Sequence, residues 1–191
     1  MKILASVLLS ILPCMAAAQA APQAQSKYTG SISYTGIYTY QNFNHDSIYG
    51  ATSQNLAGWG ITPEINFTRH FGFQGDFVTS YSTDSIPSLT QFTVAAGPRY
   101  TMNPYWKGTP FFFGEAGETR ISYGNFGGNH HPAVDWEPTA SAGIGFDVNL
   151  TPRFGLQFVP AEWMGQRLDY NGEWQNNFMA RFGFVFNFRR P

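Results

Sequence analysis

The chain has 191 residues, with 11 Lys and Arg against 12 Asp and Glu, for a formal net charge of -1. Charged residues make up 12%, aromatic residues 17%, and the mean hydropathy is -0.23. That is too polar for a bundle of membrane helices and carries about half the charge of an ordinary soluble domain. It also lacks the basic excess that nucleic acid requires.

The first twenty residues read as a signal peptide (1–20). Lys2 is a basic start, 3–15 is apolar, and Ala18-Gln19-Ala20 is a small-x-small cleavage site. The single cysteine, Cys14, falls inside that segment, so the mature chain is expected to hold no disulfide. Acylation at Cys14 is the competing reading, and Pro13 fits such processing poorly. The apolar stretch is too short to span a bilayer as a helix, and no later stretch offers the ~18 apolar residues a span needs. Residues 21–27 read as a short lead, 28–188 as one domain, and 189–191 as a tail.

Side chains alternate across a strand, so period two marks a half-buried one. The first strand is expected over 28–41, with Ile32, Tyr34, Tyr38 and Tyr40 opposed mostly to Ser and Thr. The second, over 56–68, opposes Trp59, Ile61, Ile65 and Phe67 to Gly58, Gly60, Thr62 and Glu64. The third (71–81) and fourth (90–101) set Phe73, Phe77, Phe92 and Val94 against Gln74, Asp76, Gln91 and Arg99.

The fifth strand, over 109–121, has Phe111, Phe112 and Phe113 in a row, so period does not choose its face. Placing Phe112, Gly114 and Ala116 outward keeps Glu115 off the apolar side. The sixth (137–150) opposes Ile144, Phe146 and Val148 to Gly143, Gly145 and Asp147, and the seventh (154–163) opposes Phe154, Leu156 and Phe158 to Gly155 and Gln157. The eighth, from about 174 to 188, lines up Phe178, Phe182, Phe184, Phe186 and Phe188 on one face. Pro63, Pro98, Pro110 and Pro160 each remove a ladder donor, and local bulges are expected to absorb them.

Eight strands joined alternately by short and long connections read as an all-β, antiparallel, up-and-down transmembrane β-barrel. A soluble barrel would turn its rings inward, but an eight-stranded interior is only just wide enough for side chains to fill. The rings therefore face lipid, with Tyr28, Tyr40, Tyr81, Tyr100 and Trp174 near strand ends as interfacial girdles. The polar faces collect Glu64, Asp76, Arg99, Glu115, Asp147 and Arg181, which are expected to pair as a lumen charge network. A filled lumen is the plainer expectation, and a gated small pore the sharper one.

The chain resembles the eight-stranded outer-membrane β-barrel family of Gram-negative bacteria, the OmpA-like and OmpX-like transmembrane domains. Arg181, Gly183, Phe186 and Phe188 match the spacing of that family's C-terminal assembly signal, and 96–100 followed by Thr109-Pro110-Phe111 also looks like it. The chain departs from the pattern by continuing through Arg189-Arg190-Pro191.

The resemblance implies residence in the bacterial outer membrane and insertion by the barrel assembly machinery. It also implies outer-membrane lipid as surroundings and a structural, adhesive or surface-interaction role. A ligand at the extracellular loops is a candidate partner; no nucleic acid, cofactor or metal is expected. Some relatives are lipid-remodelling enzymes with His and Ser close to the membrane. Here His45-Asp46-Ser47 is a loop tripeptide, His70 lies in a short turn, and His130-His131 sit near Tyr123, Asn129 and Asp135. No His-x-Ser strand signature appears, and two adjacent histidines fix no third metal ligand. The chain is therefore not expected to be an enzyme.

Overall fold

The computed structural model describes residues 28–42, 53–83, 89–102, 108–123, 134–167 and 174–189. The signal segment, Cys14, His45, Asp46, Ser47, Asn129, His130, His131, Arg190 and Pro191 lie outside the described residues, as do the side chains of Tyr28, Tyr123, Asp135 and Arg189.

Eight strands form: β1 (Tyr28–Asn42), β2 (Ser53–Asn66), β3 (Phe71–Ser82), β4 (Leu89–Thr101), β5 (Gly108–Tyr123), β6 (Val134–Asn149), β7 (Phe154–Arg167) and β8 (Trp174–Arg189). They close in sequence order, every neighbouring pair antiparallel, with β8 returning against β1. Closure removes both sheet edges and satisfies the ladder without help from lipid. Among the described residues no helix is long and apolar enough to cross a membrane, and the strands cross instead.

The rings point outward as their period requires. Tyr34, Phe77, Phe112, Phe158, Phe182 and Phe184 all stand exposed on the wall, and Tyr40, Tyr81, Tyr100 and Trp174 are exposed towards the strand ends. Neighbouring rings stack along that wall, as Phe154 does on Phe184, with centroids 5.5 Å apart.

Two of the short turns are built alike. In Phe67-Thr68-Arg69-His70-Phe71, the Thr68 hydroxyl accepts from the amides of His70 and Phe71 at 3.3 and 2.9 Å. In Leu150-Thr151-Pro152-Arg153-Phe154, Thr151 accepts from Arg153 and Phe154 at 3.4 and 3.0 Å. The threonine oxygen takes the place of a backbone carbonyl, which is why so few residues suffice to reverse the chain. The first turn is clasped to the next by His70, whose Nδ1 donates to the Thr101 carbonyl at 2.8 Å while its ring stacks on Tyr100.

The prolines behave differently from one another. At Pro160 the register slips by one residue against both neighbours, between Val159 and Glu162 on the β8 side and between Ile144 and Phe146 on the β6 side. Pro160 and Ala161 both face outward, and the inward phase changes from odd to even residues beyond them. No bulge forms at Pro63, contrary to expectation: β2 keeps one register against β3 from Ile61↔Phe77 to Glu64↔Gln74. Pro98 likewise leaves the register intact, with Ala96↔Ala116 and Arg99↔Phe113 on either side of it. Pro110 pairs in register with Phe146. At Pro63 the pairing with β3 lapses for two residues and at Pro98 the pairing with β5 does the same, so the missing donor interrupts the ladder locally without shifting the register.

Candidate functional site

The inward positions of the strands converge on a narrow lumen, and the charged groups fall into two knots on its axis. In the first, Arg99 of β4 reaches Glu64 of β2 at 3.3 Å and Asp147 of β6. Ser31 of β1 donates to Glu64 at 2.9 Å, and Gln157 of β7 donates to Asp147 at 3.0 Å. In the second, Arg181 of β8 meets Asp76 of β3 at 2.5 Å. It also grips Glu162 of β7 with two donors, Nε at 2.6 Å and Nη2 at 2.5 Å. Thr62 adds a hydroxyl to Asp76.

Glu115 of β5 lies beside the second knot, accepting from Gln74 Nε2 at 2.8 Å and Ser141 Oγ at 3.1 Å. All six predicted charges therefore meet inside the barrel, tying together strands that are not neighbours in the sheet. Glu162 is the member that period alone misses, because strict alternation from Phe158 aims it at lipid. The bulge at Pro160 is what turns it inward.

The interior departs from a purely hydrophilic filling. Phe111 and Phe113 of β5 point into the lumen, as the outward placing of Phe112 requires, and are nearly fully buried with Val159. Their rings lie on Gly145 and Gly143, the residues paired with them in β6. A Cβ built at those glycines would fall 2.3 Å and 2.6 Å from the ring carbons. The guanidinium of Arg99 lies 3.5 Å above the centre of the Phe111 ring, a cation–π contact in a site cut off from water. A second apolar layer, Ile37, Val78, Met164 and Met179, sits next to the Arg181 knot. Water-free space inside a narrow barrel has to be filled, and large apolar groups fill it without needing hydrogen bonds.

Towards the long-connection end the lining becomes neutral amide and hydroxyl. Asn177 donates to Gln166 at 2.7 Å and accepts from the Asn42 amide at 3.1 Å. Thr93 and Thr119 join at 2.8 Å. Between this layer and the charged knots lies a cavity lined by Asp76, Glu115, Glu162 and Arg181 among others, and a water-sized sphere reaches about 10 Å3 of it. That is room for about one water. Carboxylate oxygens of Asp76, Glu115 and Glu162 come within 4.8 Å of one another, and Arg181 already supplies a cation to two of the three.

The assembly-signal residues divide between the two surfaces. Phe186 and Phe188 stand exposed on the wall, whereas Arg181 and Gly183 face inward. Gly183 lies at the seam where β8 meets β1, and a Cβ there would come within 2.0 Å of the Tyr34 carbonyl oxygen. The glycine therefore permits closure of the barrel whatever else reads it.

Residues 5–188 match the outer membrane protein beta-barrel domain family. The chain belongs to that family. It is accordingly a protein of the bacterial outer membrane, and its eight strands are the membrane-crossing elements. Among solved structures, Neisserial surface protein A superposes with a TM-score of 0.70 at 11% identity, covering 84% of this chain and 97% of that one. Ail, the attachment invasion locus protein of Yersinia pestis, superposes with a TM-score of 0.56 at 19% identity, covering 83% and 99%. At such identities the likeness is one of fold. No curated protein sequence matches the chain.

Proposed function

We propose that this outer-membrane barrel is an anchored surface protein, structural or adhesive, with no permanent open pore and its working face at the outward connections. The observation that carries this reading is the ion-paired plug. Arg99 binds carboxylates from β2 and β6, Arg181 binds one from β3 and one from neighbouring β7, and opening a passage would strand several charges at once. Transport is then unsupported, and a rigid closed wall is a platform for loops.

Connections 43–52, 84–88, 124–133 and 168–173 are rich in Gly, Asn and Ser, with Asp46, Asp84, Asp169 and Glu173 and without Lys or Arg. Ail has been solved with the heparin analogue sucrose octasulfate. A polyanion of that kind suits these connections poorly, and a neutral or cationic surface suits them better. Catalysis gains no support from the described histidine: His70 is held by the Thr101 carbonyl on the side of the short turns.

The test is to replace 43–52 or 124–133 by Gly-Ser segments in bacteria displaying the protein, and to measure attachment to host cells or matrix. Attachment should fall while the unboiled barrel still shows its compact gel mobility. Stepwise conductance in planar bilayers, or turnover of lipid A by the refolded protein, would replace this reading with a pore or an enzyme.

A further inference from the structure

Charge divides unevenly between the two ends of the barrel. The segments at the short-turn end hold Lys27, Arg69, Lys107, Arg153, Arg189 and Arg190, and no Asp or Glu occurs in 21–28, 67–70, 102–108, 150–153 or 188–191. Glu64 and Asp147, the acidic residues nearest these segments in the chain, face the lumen and are held by Arg99. A carboxylate terminus at Pro191 would offset only one of these cations. The outward connections carry the opposite sign, with Asp46, Asp84, Asp169 and Glu173. Each basic residue of the short-turn end also has an aromatic close by. Lys27, Lys107, Arg153 and Arg189 adjoin one in the sequence, and Arg69 and Arg190 lie two residues from one. In the two threonine-held turns, exposed Arg69 and Arg153 stand between exposed apolar side chains, Phe67 and Phe71 in one and Leu150 and Phe154 in the other. Backbone contacts gather these segments into two sides of a rim. The Asn187 amide donates to the Arg153 carbonyl at 2.9 Å and residue 189 pairs with Tyr28, so Arg153 and Arg189 fall at the seam where Lys27 leads into β1. Across the barrel, the Thr101 amide donates to the His70 carbonyl at 2.8 Å, which sets the Arg69 turn against the segment leading to Lys107.

We infer that the short-turn rim is a binding surface for anionic phospholipid, whose headgroup presents a phosphodiester with net negative charge. The short turns of such barrels face the periplasm, so the leaflet concerned is the inner one. Apolar anchors on both sides of a turn fix its depth at the membrane boundary. A guanidinium between them reaches the phosphate layer on its flexible stem, and its fork meets two phosphate oxygens at once. Turns this short, tied by Thr68 and Thr151, keep the cations at that depth and give them no reach into the periplasm. A polymer lying away from the membrane is therefore a poorer match than the leaflet itself. A zwitterionic headgroup brings its own ammonium, which these cations repel and no carboxylate of the rim receives. An anionic headgroup carries no such cost, and each basic residue near it favours binding about fivefold. The acidic outward connections confine this attraction to one leaflet.

The test uses the barrel purified from outer membranes in a neutral detergent and titrated with phosphatidylglycerol or phosphatidylcholine, the lipid adducts being counted by native mass spectrometry. Phosphatidylglycerol should bind more tightly. Its advantage should shrink in ammonium acetate raised from about 50 to about 500 mM, because the attraction is screened. Arg69→Gln combined with Arg153→Gln should weaken phosphatidylglycerol about fivefold, since each side of the rim loses one cation, and leave phosphatidylcholine unchanged. Arg120→Gln combined with Arg167→Gln, towards the other end, should change neither. Should the Arg69 and Arg153 variant fail to give the compact unboiled gel species, the salt series and Lys107→Gln with Arg190→Gln take its place. Equal affinities for the two lipids, indifference to salt, survival of the preference without Arg69 and Arg153, or its loss through Arg120 and Arg167 would each overturn the proposal. Sedimentation with purified peptidoglycan that Arg69→Gln and Arg153→Gln abolish would overturn it too, by assigning the rim to the cell wall.

Discussion

The plug makes its clearest quantitative claim at Arg181. This guanidinium is 5% exposed and its partners Asp76 and Glu162 are 1% exposed each, so neither water nor salt screens the cluster. Arg181→Met keeps most of the side-chain volume and removes the charge. Asp76 and Glu162 would lose three donors between them, and with Glu115 they would face one another as three carboxyl groups without their cation. Breaking a buried pair by deleting one partner costs about 3–5 kcal/mol, mostly because the other charge is left uncompensated. Two partners are stranded here, but the groups form one network and their costs do not add, so about 4 kcal/mol is expected.

The measurement is urea unfolding in lipid vesicles, followed by tryptophan emission and by the shift of the unboiled gel band. A second substitution separates electrostatics from packing. Glu162→Gln added to Arg181→Met removes one of the stranded carboxylates and should recover part of the loss, about 1–2 kcal/mol. If Arg181→Met cost under about 1 kcal/mol, the pair would behave like a solvated surface pair, and the closed-lumen reasoning would fail. If Glu162→Gln made Arg181→Met worse, the loss would be one of packing.

Three further outcomes follow from the wall, the seam and the bulge. Phe182→Arg places a cation on lipid at a position 56% exposed and should cost about 2–4 kcal/mol if that position lies near the midplane; unchanged stability in vesicles would contradict the outward facing of β8. Gly183→Val puts a side chain against the Tyr34 carbonyl and should abolish the compact gel species; a normally closing barrel would show that the close approach of β1 and β8 is dispensable. Deleting Pro160 removes the extra residue of β7 and leaves Val159 inward, Ala161 outward, Glu162 inward and Trp163 outward in plain alternation. Outer-membrane levels of that deletion should stay near the parent's, and a sharp drop would mean that the bulge is more than one extra residue in the register.

Much of this molecule was legible before any coordinates. Phe178 to Phe188 and Ala140 to Val148 alternate without interruption, so their faces followed from period alone, and β6 and β8 bear this out. The fifth strand was harder, since three consecutive phenylalanines carry no period. Glu115 decided it, because a carboxylate on lipid costs more than a ring in the lumen. What sequence hid was the partner that makes inward rings tolerable. Gly143 and Gly145 look like ordinary small inward residues until Phe113 and Phe111 are laid on them. Period carries β7 only to residue 163, whereas the strand runs to Arg167. Its period is broken where Pro160 inserts a residue, and a pattern with two phases looks like an ending. The loss of Glu162 from the expected charge network has the same cause.

Pro160 therefore joins local covalent chemistry to the electrostatics of the whole lumen. A proline cannot donate to the ladder, and at Pro160, unlike Pro63, Pro98 and Pro110, the strand yields one residue of register. That single slip leaves Phe158 and Trp163 both on lipid although they are five positions apart, an offset that plain alternation would put on opposite faces. It also delivers a carboxylate to Arg181, which would otherwise hold Asp76 alone in the pairs described. The same guanidinium lies 5.9 Å from the Phe113 ring, whose inward placing depends on Gly143, its partner on neighbouring β6. The bulge, the cation and the glycine are each unremarkable in the sequence. Together they pack the centre of the barrel with paired charges and a ring that no single stretch of sequence announces.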